Sequence, residues 1–313
     1  MSNPNTQTVN RCIRDAARLA AAGDSLIPYH IAQFLRTGEE HWPGSLSSSH
    51  GPYSLKSDGS YSNAAKTALL TLFDQLSGSL PDPIRTAPQV SSEEIRQRIE
   101  PMIRGLVQHD WQEIALAELT RRTFVLNYHG AKAAIAAELS TGWRDTAWQV
   151  LWAFSEEHGL TRAGTRTEYD GLSGGEYAHV LWSAYQTTDP YSDVVVHEAA
   201  HLLHYLKPEH YGLHIRRGQE RFVDVDFHSR ELFAFTCEAY SRALLWREPR
   251  SRVSFAEKML TGAVTFPKDE LAEISALVES ASRSRNGWRI IRDATVAPRS
   301  MSASRAIPCR CAD

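Results

Sequence analysis

Two histidines four residues apart, His197 and His201, flank a glutamate in the run Val194-Val195-Val196-His197-Glu198-Ala199-Ala200-His201-Leu202-Leu203. On a helix, residues four apart lie roughly 40° from each other around the axis and about 6 Å along it, so two imidazoles can converge on one metal ion. Glu198 then points to the side of the ligand face, where its carboxylate can reach a water on the metal without becoming a ligand. A base beside a water is what metal-assisted hydrolysis requires. The flanking residues are apolar or uncharged, as they must be if the helix is buried on every side except the one facing the site.

This H-E-x-x-H pattern with its apolar surround resembles the zincin metallopeptidases. Catalytic zinc usually takes three protein ligands and leaves a fourth position to water, so a third ligand is needed. The metzincin form requires Gly at 204 and His at 207, where this chain has His204 and Lys207. Downstream, the segment Arg230 to Tyr240 carries Glu231, Phe233, Ala234 and Glu238, which resembles the E-x-F-A-x-x-x-E segment of the aminopeptidase-like gluzincins. The resemblance implies a zincin-like catalytic domain with one zinc ion per chain held by His197, His201 and Glu231. It also implies Glu198 as general base, and hydrolysis of peptide bonds in a peptide or protein substrate.

Small Ala234 lets two helices approach closely, and Glu238, two turns on from Glu231, is placed to orient a ligand histidine. His204 shares the face of His197 and is either a partner of a ligand or a structural histidine. Tyr205, His210, Tyr211, His214 and Tyr240 are the nearby side chains suited to stabilising an oxyanion. The resemblance covers residues 193 to 240. No G-x-M-E-N segment precedes it and Arg230 stands where those aminopeptidases commonly have Asn, so exopeptidase action is not implied.

Two other readings use the same residues. Glu198-x-x-His201 also fits the Glu-x-x-His of di-iron carboxylate bundles, and Glu176-Tyr177-Ala178-His179 is a second copy, with Glu231 and Glu238 to complete the set. Alternatively, the metal site stabilises a non-catalytic regulatory or binding protein.

At 313 residues the chain can bury a substantial core, and a net charge of −3 gives no electrostatic footprint for nucleic acid or an anionic membrane. The first thirty residues hold acidic and polar positions and no uninterrupted apolar core, and no run approaches the ~20 apolar residues of a membrane span. A cytoplasmic protein is expected. Four cysteines, Cys12, Cys237, Cys309 and Cys311, are too few and too unevenly spaced for a disulfide framework.

The elements around the site predict an α+β fold, predominantly helical, with a small, mainly antiparallel sheet. Residues 1–43 read as an N-terminal helical arm, 44–62 as a Gly/Ser/Pro-rich linker, 63–295 as the catalytic domain with helical scaffold, and 296–313 as a disordered tail. Within the domain, helices are expected at about 63–77, 92–108, 112–122, 131–139, 143–158, 193–206, 230–240, 253–260 and 271–280. Strand formers at 123–128 predict a short strand. Residues 165–169 and 177–184 read as a hairpin around the turn at 170–175, although the spacing over 176–186 equally fits a helix; as a strand, 177–184 would be an edge to which a peptide substrate can add.

Overall fold

The computed structural model describes residues 4–20, 27–39, 60–160, 170–173, 176–214, 220–262 and 264–295. In chain order the helices and strands are α1 (Pro4–Ala20), α2 (Ile27–Thr37), α3 (Ser60–Ser77), α4 (Asp82–Arg85), α5 (Ser92–Leu106), α6 (Gln112–Arg122), β1 (Thr123–Leu126), α7 (Tyr128–Thr141) and α8 (Arg144–Glu157). They continue with β2 (Gly171–Leu172), β3 (Ala178–Leu181), α9 (Trp182–Tyr185), α10 (Val194–Tyr205), α11 (Arg230–Ala243), α12 (Pro249–Met259), α13 (Leu271–Arg283) and α14 (Gly287–Thr295). The fold is predominantly helical with one small three-stranded sheet. No helix among the described residues is long and apolar enough to cross a membrane.

The sheet has the order β1-β3-β2 and is mixed, not mainly antiparallel. β1 runs parallel to β3, with Thr123 opposite Ala178 and Leu126 opposite Leu181. The two-residue β2 runs antiparallel to β3, with Gly171 opposite Val180 and Leu172 opposite His179. The strand expected as an edge is thus the central one. β2 occupies part of the expected turn, Trp182 to Tyr185 is helical, and the expected strand at 165–169 lies outside the described residues.

Side chains alternate across a strand, and here the alternation divides two cores. Val125, Ala178 and Val180 face a core built from α5, α6 and α10 to α14. Phe124 and Leu126 face a second core, which joins Ile13 of α1 and Phe34 of α2 to Leu69 and Phe73 of α3, Ile135 of α7 and Phe154 of α8. The N-terminal helices α1 and α2 thus pack against α3, α7 and α8 in this second core. Ser60 to Ser62, expected in the linker, form the first turn of α3, while 44–59, the expected tail and its Cys309 and Cys311 lie outside the described residues.

Local chemistry accounts for several boundaries. Ser91 and Glu94 form a reciprocal capping box at the start of α5, so two otherwise unpaired amides are satisfied. Asn127 caps α7 by accepting from the Gly130 amide at 2.8 Å, and Gly142 closes that helix with a left-handed φ of 93°. α10 ends at the extended residues Leu206 and Lys207, ahead of Pro208.

Candidate metal centre

α10 is the most enclosed helix of the protein, with every residue from Val194 to His204 buried. It packs against α5, α6, α9, α11 and all three strands, so its orientation is set from every side. α11 lies alongside it, and Ala234, fully buried at the contact, has only a methyl to hold the two axes apart. Glu231 and Glu238, seven residues apart, are carried on the same face of α11.

This packing brings three donor atoms together. His197 Nε2 and His201 Nε2 are 3.1 Å apart, and Glu231 Oε2 lies 3.7 Å from the first and 3.4 Å from the second. A tetrahedral zinc site with bonds of about 2.0–2.1 Å has donor-to-donor edges of about 3.3–3.4 Å, so the triangle has the size of one face of such a site. Among the described residues it is the one group of His, Cys, Asp or Glu with this convergence.

The hydrogen bonds around His197 fix its tautomer. Its Nδ1 lies 3.2 Å from Glu238 Oε2, while Glu238 Oε1 accepts from the Ser192 hydroxyl at 2.6 Å and the Asp193 amide at 2.7 Å. A carboxylate so held accepts the Nδ1 proton, so in the neutral ring it is the Nε2 lone pair that is aimed at Glu231 and His201. Burial lowers the His197 pKa, but its bond to Glu238 and the charges of Glu238, Glu198 and Glu231 outweigh that and push it up to about 8. Glu231 is held below the usual carboxylate range by its bond to His201, and its side chain is 60% exposed, so the centre opens to solvent on this side.

Glu198 is buried beside the ligand face. Burial raises its pKa, while His197, His201 and a hydrogen bond with Ser173 pull the other way. Its Oε2 has no hydrogen-bond partner among the described residues, the state expected of a base kept for a substrate or water. The carboxylate lies under β2, where a Cβ on Gly171 would stand 2.6 Å from Glu198 Cγ and closer still to Oε1. Only glycine leaves room for the Glu198 carboxylate at that point.

The other expected site residues are less uniform. His204 is fully buried with neither ring nitrogen hydrogen-bonded; its ring is 6.0 Å from that of His201, and burial first, then nearby positive charge, pulls its pKa down to about 3. Tyr205 lies one turn beyond His201, with its hydroxyl accepting from Arg230 at 2.6 Å. Tyr211 is turned to α6, where it meets Arg122 and Glu118. His210 is exposed beside Glu209, and His214 is exposed. Tyr240 faces away: its ring packs on Trp288 of α14 and its hydroxyl lies against Gly287.

Ser192, Ser173 and Gly171 carried no motif, because they act through a hydroxyl or through the absence of a side chain. Asp193, at the N-terminus of α10, makes no side-chain cap; its carboxylate pairs with Arg98 at 3.3 Å. Two further residues border the centre. Phe235 packs on the His197 ring at 4.4 Å, and Glu270, with one oxygen lacking a hydrogen-bond partner, stands within electrostatic reach of Glu231. The di-iron set is not assembled: Glu176 pairs with Arg122, and His179, on a strand, faces Glu138 at 3.4 Å. Comparison with known proteins adds no relative, since no protein-family model, curated protein or solved structure matches the chain.

Proposed function

We propose that the protein is a zinc-dependent peptidase with a gluzincin ligand set on a zincin-like catalytic domain. The observation that carries the reading is the convergence of His197 Nε2, His201 Nε2 and Glu231 Oε2 on one point, with Glu238 behind His197 and Glu198 beside it. Zinc bound there supplies a water of pKa near ~7 and polarises the scissile carbonyl. Glu198 takes the proton of the attacking water and returns it to the leaving amine. Glu238 keeps the Nε2 lone pair of His197 directed at the site.

A peptide is the favoured substrate because β2, next to Glu198, is the outer strand of the sheet and pairs only with β3 among the described residues. An extended chain adding to its far side would lie across the base. The test is hydrolysis of a mixed library of quenched peptides by zinc-loaded protein and by Glu198→Gln. The native protein is expected to cleave and the variant to lose about 10²–10⁴-fold in rate with zinc retained. Equal activity in the two proteins refutes the assignment.

A further inference from the structure

A surface pocket of about 500 Å³ opens between α11, α12 and the segment leading into α10. It is separate from the metal centre: Arg242 in its wall lies eleven residues beyond Glu231, three turns or about 16 Å along α11. Its volume falls within the range of roughly 300–1,000 Å³ typical of small-molecule sites.

The lining divides by chemistry. Tyr191 and Phe255, with ring centroids 4.7 Å apart, form an aromatic wall. Leu245 and Trp246 complete the apolar side yet remain 69% and 52% exposed, an unusual burden for two adjacent large apolar residues on a protein surface. The lining also holds Arg242 and Lys258, and no Asp or Glu lines the pocket. Neither cation makes an ion pair among the described residues. Arg242 is fixed by donating from Nε to the Pro190 carbonyl at 3.1 Å, which leaves its remaining N–H groups uncommitted. Asp193, the acid within electrostatic reach of Arg242, is already paired with Arg98.

An apolar lining that also carries two cations without ion-pair partners among the described residues matches a molecule with an apolar body and one anionic end. We propose that this pocket binds a small amphipathic carboxylate, its chain or ring between Tyr191, Phe255 and Trp246 and its carboxylate on Arg242 and Lys258. Charge complementarity selects the anion and the exposed apolar pair selects the body. Neither depends on the reaction assigned to the metal centre.

Isothermal titration of the zinc-loaded protein with octanoate and with octanol tests this. One octanoate per chain is expected, with octanol about tenfold weaker because it cannot use the cations. Lys258→Met should weaken octanoate about fivefold or more while leaving octanol unchanged. Ser254→Tyr, which fills the pocket from α12, should abolish both, with thermal unfolding confirming that each variant is folded. Absence of octanoate binding at millimolar concentration, equal affinity for acid and alcohol, or octanoate binding untouched in both variants overturns the proposal.

Discussion

Each imidazole in the centre is useful only if its lone pair points at the metal, and for His197 that direction is enforced by Glu238. The enforcement reaches outward through the Ser192 hydroxyl and the Asp193 amide, which hold Glu238 Oε1 at 2.6 and 2.7 Å. Removing the carboxylate frees the ring to flip and leaves its Nδ1 without a partner. Glu238→Ala is therefore expected to lower zinc affinity about 10–100-fold, read by competition with a chromogenic chelator, while the helical circular dichroism is retained. Unchanged affinity would show that Glu238 is only a buried structural acid. The convergence of His197, His201 and Glu231, with Glu238 behind His197, was readable in the sequence because helical spacing of three, four and seven is local. Tyr240 was misplaced for a related reason: nine positions from Glu231 amount to two and a half turns, which puts it on the opposite face.

Among the elements, β2 has the greatest consequence for its size. Two residues have no periodicity to read, so the sequence located the pairing only approximately and gave the edge position to the wrong strand. What fixes β2 is tertiary: its ladder with β3, the contact from His179 Nδ1 to the Leu172 carbonyl at 3.2 Å, and the close approach of Gly171 to Glu198. A methyl at 171 has to displace either the strand or the base. Gly171→Ala is expected to cut kcat about tenfold or more with one zinc still bound, because a misplacement of about 1 Å at the reacting groups costs on the order of 10²-fold. Wild-type kcat would mean that Glu198 adjusts freely. α14 also escaped the sequence reading, being short and anchored by Trp288 and Ile291 against helices distant in sequence. α5, in contrast, was announced by the capping box at Ser91 and Glu94.

At the scale of the whole molecule, the sheet is a wall with the candidate metal centre on one side and the N-terminal helices on the other, and a buried pair lies on the N-terminal side of it. Glu138 of α7 and His179 of β3 are both almost inaccessible and stand 3.4 Å apart. Burial pushes the Glu138 carboxyl up to about 8 against a lowering hydrogen bond from the Glu176 backbone, with the charges of Glu176 and Asp145 adding smaller rises, and burial pulls the His179 imidazole down to about 4. A raised Glu138 stabilises the folded state below its ordinary value of 4.5, and that contribution is lost as pH rises through about 8. A depressed His179 works in the opposite sense: its contribution is complete above 6.5 and lost as pH falls through about 4. The two oppose each other between about 4.5 and 6.5, and above that Glu138 acts alone. The Glu138 contribution is therefore expected to fall by about 1.4 kcal/mol per pH unit between pH 6.5 and 8, beside the loss from His197 over the same window, and Glu138→Gln should remove the Glu138 part of the slope in denaturant titrations. Parallel profiles for the two proteins would contradict the neutral state of this pair. No sequence pattern pairs residues 138 and 179, since their meeting depends on the parallel register of β1 and β3.

The most direct measurement of the central claim is the metal content and coordination of the purified protein beside Glu231→Ala, by elemental analysis and X-ray absorption at the metal edge. The account predicts one zinc per chain with two imidazole ligands and oxygen donors at about 2.0–2.2 Å, and at least a tenfold loss of affinity in the variant. Two irons per chain, no stoichiometric metal, or zinc bound equally well without the Glu231 carboxylate would contradict it.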